Sequence, residues 1–122
     1  MNEYSGYGEV EIGGRTLKFK FGLNAYQMLS SHRGVALGDV GQPLASDPIA
    51  TLEMAYFAHV THARINRYEP LMSLTEFIEA AGDTDTIVLL ARFGEIENSA
   101  RFLGKTKADM LQAAEDKKKV NP

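Results

Sequence analysis

A glycine pair, Gly13 and Gly14, separates two stretches that each alternate charged and apolar residues, EVEI at 9–12 and RTLKFKF at 15–21. Two-residue hairpin turns favour glycine because type I′ geometry needs a positive φ at both central positions. With the pair as the turn, Ile12 stands opposite Arg15, Val10 opposite Leu17 and Gly8 opposite Phe19. Val10, Ile12, Leu17, Phe19 and Phe21 then share one face of the hairpin, and Glu9, Glu11, Thr16, Lys18 and Lys20 share the other. A loop one residue longer would put the two apolar sets on opposite faces. The register also places Glu9 across from Lys18, a cross-strand ion pair worth ~0.2 to 1 kcal/mol. An isolated hairpin is marginal in water, so its apolar face must be covered by the rest of the chain.

Beyond Phe21 the chain reads as helices. Asn24 is expected to cap a helix over 25–33, with Gln27 closing a capping box, Leu23 stapled to Met28, and Gly34 as the left-handed stop. Gly38, Gly41 and Pro43 mark 35–46 as a long loop. Asp47 and Pro48 then open a central helix, PIATLEMAYFAHVTHARIN, with a stripe of Ile49, Leu52, Tyr56, Val60 and Ala63 that Met54 and Phe57 widen. SLTE at 73–76 fits a capping box for a short helix ending at Gly82. Asp83 or Thr84 is expected to cap a last helix with the stripe Leu89, Phe93, Ile96, Ala100 and Leu103, in which Glu97 supports Arg101 and Gly94 marks close packing or a bend. The predicted fold is α+β and predominantly helical, an N-terminal β-hairpin packed on about four α-helices. Residues 1–104 form a single globular domain in this reading, and 105–122 a charged, frayed or disordered tail.

The chain contains no cysteine, which removes disulfides, thiolate nucleophiles and Cys-based zinc sites. Its formal charge of −3, spread over mixed signs, offers no basic footprint for DNA or RNA. The opening MNEYSGYGEVEIGG has neither the basic nor the apolar region of an export signal, and no stretch nears the ~18 apolar residues that span a bilayer. A cytoplasmic protein, with no nucleic-acid or membrane partner, is the expectation.

Few residues suggest chemistry. His59 and His62 lie i, i+3 on one helix face, within reach of a common metal ion, but a zincin needs i, i+4 spacing and a glutamate where Val60 stands. They are expected as partly exposed helix histidines. Glu95 with Glu97, and Asp83 with Asp85, are spaced i, i+2 and point to different faces, so they read as solvating or capping groups. Ser30 and Ser31 beside His32 match nucleophile and base by type only. No GK[ST] follows the glycine pair, which excludes a phosphate loop. No catalytic residue, metal site or cofactor is expected. Met54 and Phe57 are the candidates for a partner-binding surface.

The order of these parts resembles the short tail assembly chaperones of long-tailed bacteriophages, prophages and gene transfer agents. The resemblance is carried by GGRTLKFKF running into GLNAYQMLSSHRG, then a loop, a longer central helix, SLTEFIEAAGD, and a closing ENSARFLG, together about residues 8–104. It implies a non-catalytic protein of the bacterial host cytoplasm that binds the tape measure protein, with the tail tube protein as a further partner, and is absent from the mature virion. Self-association fits a client that needs many copies. Many members of the family are made in two lengths by a ribosomal frameshift, and Lys117, Lys118 and Lys119 suit a frameshift-associated tail because AAA and AAG codons form slippery runs; otherwise they read as a solubilising tail. The alternatives are a structural head-to-tail connector or tail terminator of the virion, whose hairpin adds strands to a neighbour's sheet, a metal-dependent enzyme using His59 and His62, and a bacterial adaptor unrelated to phage.

Overall fold

A computed structural model describes residues 6–99 in full and the backbone of 101–102 and 105–106. Strands β1 (Tyr7–Ile12) and β2 (Arg15–Lys20) pair antiparallel in the expected register, from Ile12 opposite Arg15 to Tyr7 opposite Lys20. Gly13 and Gly14 both take positive φ, 60° and 77°, as the type I′ turn requires. Ile12, Leu17, Phe19 and Phe21 are all buried, while Glu9, Glu11 and Lys18 are exposed. Glu9 does stand opposite Lys18, but the two do not close to an ion pair.

The ladder parity follows from the Phe21 N–H, which donates to the Gly6 carbonyl at 2.8 Å. Counting by twos, the backbone groups of Tyr7, Glu9 and Glu11 on β1, and of Thr16, Lys18 and Lys20 on β2, point away from the partner strand. On β2 that edge is covered by a helix. On β1 the outward groups have no backbone partner among the described residues.

Helix α1 (Leu23–Arg33) starts earlier than its sequence suggests. Gly22 precedes it in an extended conformation and supplies no side-chain cap, so Asn24 falls inside the first turn and the expected box with Gln27 does not form. Leu23 is 48% exposed, which also removes the staple to Met28. The other end is as read: Gly34 adopts φ 68° and the Val35 N–H reaches back to the Ser30 carbonyl.

The segment expected to be a loop is ordered into a 3₁₀ turn at Leu37–Asp39 and helix α2 (Gly41–Ser46). Its glycine and proline are misleading as breakers, because Pro43 sits in the first helical turn, where the missing N–H has no intrahelical partner to lose. Val40 is buried and Leu44 packs beside it on the core.

Helix α3 (Pro48–Ile65) is capped as expected, with Asp47 Oδ1 accepting from the Ile49 N–H at 2.9 Å. It packs against β2, α1, α2, α4 and α5, and so is buried over a wider arc than one stripe. Ala50, Ala55, Ala58 and Ala63 are buried, and Ile49, assigned to the core by its spacing, is 44% exposed. Helix α4 (Leu74–Gly82) carries the predicted capping box: Ser73 Oγ accepts from the Glu76 N–H, and Glu76 Oε1 accepts from the Ser73 N–H, each at 3.2 Å. Helix α5 (Thr86–Asn98) is capped by Asp85, one or two residues later than expected, because Asp83 is used as the C-cap of α4. Leu89, Phe93 and Ile96 are buried as read. The helix ends at Asn98 instead of reaching Leu103, and two short strands, β3 (Arg101–Phe102) and β4 (Lys105–Thr106), pair antiparallel beyond it. Ala100, Leu103, the tail beyond Thr106 and its Lys117, Lys118 and Lys119 lie outside the described residues. No helix among the described residues is long and apolar enough to cross a membrane.

Phe19 is at the centre of the core. Its ring lies 5.2 Å from Phe93, 6.2 Å from Phe21, 6.4 Å from Phe77 and 5.9 Å from the His59 imidazole, so β2, α3, α4 and α5 meet on one residue. Gly8 completes the approach of the hairpin to α5. A Cβ there would lie 2.5 Å from Ile96 Cδ1 and 3.0 Å or less from two further Ile96 atoms, whereas a Cβ on Gly94 would meet nothing within 4 Å. The close packing is at Gly8, not at Gly94. Gly8→Ala is therefore expected to destabilise by ~1 to 3 kcal/mol, and by much less in an Ile96→Ala background. Gly94→Ala should stabilise by up to ~1 kcal/mol through helix propensity. Urea unfolding of the four variants measures both effects.

Candidate interaction groove

A concave surface between α1 and α3 follows from how the two helices are fastened. Arg33 and His32, at the end of α1, reach Glu53 in the first half of α3, so the two helices run antiparallel. Arg33 Nε donates to Glu53 Oε1 at 2.6 Å, and His32 Nε2 lies 3.0 Å from Glu53 Oε2. Arg33 Nη1 also meets Asp47 Oδ2 at 3.0 Å, which ties the clamp to the α3 cap. Glu53 is buried, and a carboxylate taken out of water needs both partners. The shared bonds raise Arg33 further above its ordinary range, first through Glu53, and lower Asp47, first through the Ile49 N–H and then through Arg33. The inner side of α1 is held as well. Tyr26 hydrogen-bonds Glu97 of α5, and burial together with that carboxylate pushes the phenol far above its usual range.

Between the fastened helices lies an open groove of about 580 Å³. Helix α1 lines it with Asn24, Gln27, Met28, Ser31 and His32, and α3 with Phe57, Val60, Thr61, Arg64 and Ile65. Both sets follow helical i, i+3, i+4, i+7, i+8 spacing. Its apolar lining is Met28, Phe57, Val60 and Ile65, and the His32 ring stands edge-on to Phe57 at 5.5 Å. Thr61 returns its hydroxyl to the Phe57 carbonyl at 2.8 Å. Asn24, Gln27, Ser31 and Arg64 form no side-chain hydrogen bond or ion pair within the described fold, and among the described residues no carboxylate lines the groove.

Of the two residues expected to form a partner surface, the fold brings only Phe57 to one. It is half-buried in the groove, while Met54 is fully buried in the same cluster as Val40. The segment before α3, expected to be a loop, folds into α2 and packs on that helix. Met28 and Val60 are legible as apolar, but local spacing assigns them to a staple and to the core stripe. The matching i, i+3, i+4, i+7 pattern over 24–31 and 57–64 is the signal available in the sequence.

The histidines part company. His59 is fully buried, not partly exposed. Its Nε2 accepts from the Leu71 N–H at 3.1 Å, which leaves the ring proton on Nδ1 to donate to the Lys18 carbonyl at 2.8 Å. That tautomer satisfies the outward-pointing carbonyl of β2. The Leu71 carbonyl in turn accepts from Arg15 Nη1 at 2.6 Å, and the Met72 carbonyl from Tyr56 Oη at 2.9 Å, so the link between α3 and α4 is pinned from the hairpin and from α3. His62 turns instead toward Tyr68, with Nδ1 2.8 Å from its hydroxyl. Among the described residues no group of three His, Cys, Asp or Glu side chains could hold a metal ion. The remaining candidates have local duties. Asp83 and Asp85 stand at helix ends, Glu95 pairs with Arg92 at 3.3 Å, and Ser30 Oγ donates to the Val35 carbonyl. The side chain of Arg101, the expected partner of Glu97, lies outside the described residues.

Burial lowers His59 below its ordinary value of 6.5, against a smaller upward effect of the Lys18 carbonyl; His62 is lowered by burial, then by Lys18 and His59. The unfolded chain then binds protons that the folded one refuses, so the contribution is complete above about pH 6.5 and is lost as pH falls. His59→Phe should remove this pH sensitivity in part, His62 keeping the rest. It should also cost on the order of 2 to 3 kcal/mol at neutral pH by stranding the Lys18 carbonyl and the Leu71 N–H. Unfolding free energies at several pH values between 5 and 8 check the slope and the offset together.

Comparison of the chain with models of protein families, with curated proteins and with solved structures returned no match.

Proposed function

We propose that this protein is a non-catalytic tail assembly chaperone of a phage or prophage, and that it holds the tape measure protein through the groove between α1 and α3. The groove carries the reading. It offers an apolar lining with an aromatic residue, Phe57, flanked by unengaged polar side chains, the form in which one amphipathic helix is captured by two others. The phage assignment itself rests on the sequence resemblance, to which the hairpin followed by helices conforms.

The mechanism is mass action. Binding to exposed helical segments of the client favours their dispersed form by RT ln(1 + [L]/Kd), and the chaperone leaves when tube subunits compete for the same segments. The protein acts in the host cytoplasm and is left out of the finished particle. A virion connector is the second reading, favoured by the β1 edge, whose outward backbone groups at Tyr7, Glu9 and Glu11 have no backbone partner among the described residues and could receive a neighbour's strand.

Where a long helical protein of the tape measure kind is encoded beside this one, co-expression is expected to keep it in the soluble fraction and in complex with this protein. Phe57→Ser should weaken the complex by at least about tenfold, the scale of a lost aromatic anchor, while the circular dichroism spectrum stays unchanged. Undiminished capture by the variant would remove the groove from the mechanism. Mass spectrometry of purified particles separates the two readings, because a chaperone is missing there and a connector is present in stoichiometric amount.

A further inference from the structure

The groove also carries information about the chemistry of its occupant. We infer that it selects a short amphipathic helix bearing a carboxylate beside its apolar stripe, with Arg64 as the residue that reads the charge. This rests on the groove being the proposed client site, and it goes further by naming what distinguishes a client segment from other helices.

Three observations support it. Arg64 is exposed, lies on the same wall as Phe57 and Val60, and makes no ion pair or hydrogen bond within the described fold. The basic groups at the opposite end of the seam are engaged: His32 by Glu53, and Arg33 by Glu53 and Asp47. Among the described residues no acidic side chain lines the groove, so a bound carboxylate meets a donor and no repulsion from that lining. A guanidinium beside apolar surface that excludes water suits two-point recognition of a carboxylate, which a lysine or amide on the occupant cannot reproduce.

The dimensions set the footprint. The lining runs over eight steps on each helix, from Asn24 to His32 and from Phe57 to Ile65, which at ~1.5 Å per residue is about 12 Å. That accommodates about two turns of a bound helix, with anchors at i, i+3 or i+4, and i+7. So small a footprint makes each contact weak and reversible, and a long client is held by many copies acting together.

Three synthetic helical peptides of about fifteen residues, long enough to hold helix in water, test this. They share one leucine stripe and differ only in the residues beside it: glutamate, glutamine or lysine. Fluorescence anisotropy with the full-length protein should show the glutamate peptide binding about tenfold more tightly than the glutamine one, as a hydrogen bond to a charged group implies, and the preference should fade with added salt. Arg64→Glu should reverse the order in favour of the lysine peptide, an outcome that a merely structural Arg64 would not produce. Equal binding of all three peptides, or an Arg64→Glu protein that keeps the glutamate preference, overturns the inference. If Phe57→Ser still abolishes that undiscriminating binding, the proposed groove function survives. If no peptide binds although a co-expressed tape measure protein is held in complex, both the charge rule and the groove assignment fail. Arg64-dependent self-association in sedimentation would assign the groove to a second copy and likewise overturn the inference.

Discussion

A two-stranded hairpin has one apolar face and cannot bury it alone, so everything else in this fold is arranged around covering Leu17, Phe19 and Phe21. Helix α3 does most of this. It lies against β2, with Ala55 and Ala58 buried in the common core and a histidine where the strand edge has a carbonyl to satisfy. The His59 ring is both core filler, edge-on to Phe19, and polar bridge, with one nitrogen on the hairpin and the other on the link to α4. A leucine in its place would pack but leave two backbone groups stranded. The bridge makes the hairpin, α3 and the α3–α4 link one mechanical unit, and α4 and α5 close over it through Phe77 and Phe93.

With α3 committed to the hairpin on one side, its other side is left to α1. The Glu53 clamp holds the end of α1 there, and Tyr26 fastens its inner face to α5. The outer residues of both helices line the groove beside these fastenings. The proposed binding surface is therefore produced by the same contacts that hold the core, with no loop required to move.

Legibility in the sequence divides by distance along the chain. The hairpin register, the Asp47–Pro48 start of α3, the Ser73–Glu76 capping box and the Gly34 stop are all legible, because each depends on groups within a few residues of one another. Even locally there is competition: Asn24 is a better cap by type than Gly22, yet the chain turns into α1 directly after Phe21 is anchored, and the helix begins before Asn24. Gly41 and Pro43 look like breakers, and α2 forms because Val40 and Leu44 have a core to join.

The sequence by itself determined which residues of the hairpin face inward, where α3 and α4 begin and end and where α1 stops, and that the chain is α+β with helices predominating. Alternation and capping are properties of neighbouring residues, and they hold whatever the rest of the chain does. Tertiary structure decided that Met54 is core and Phe57 is surface, that His59 is buried and neutral while His62 turns to Tyr68, and that Met28 and Val60 line one groove with Arg64. Those outcomes depend on which faces of α1 and α3 meet, and that is settled by contacts between residues twenty or more positions apart, such as Arg33 with Glu53 and Lys18 with His59.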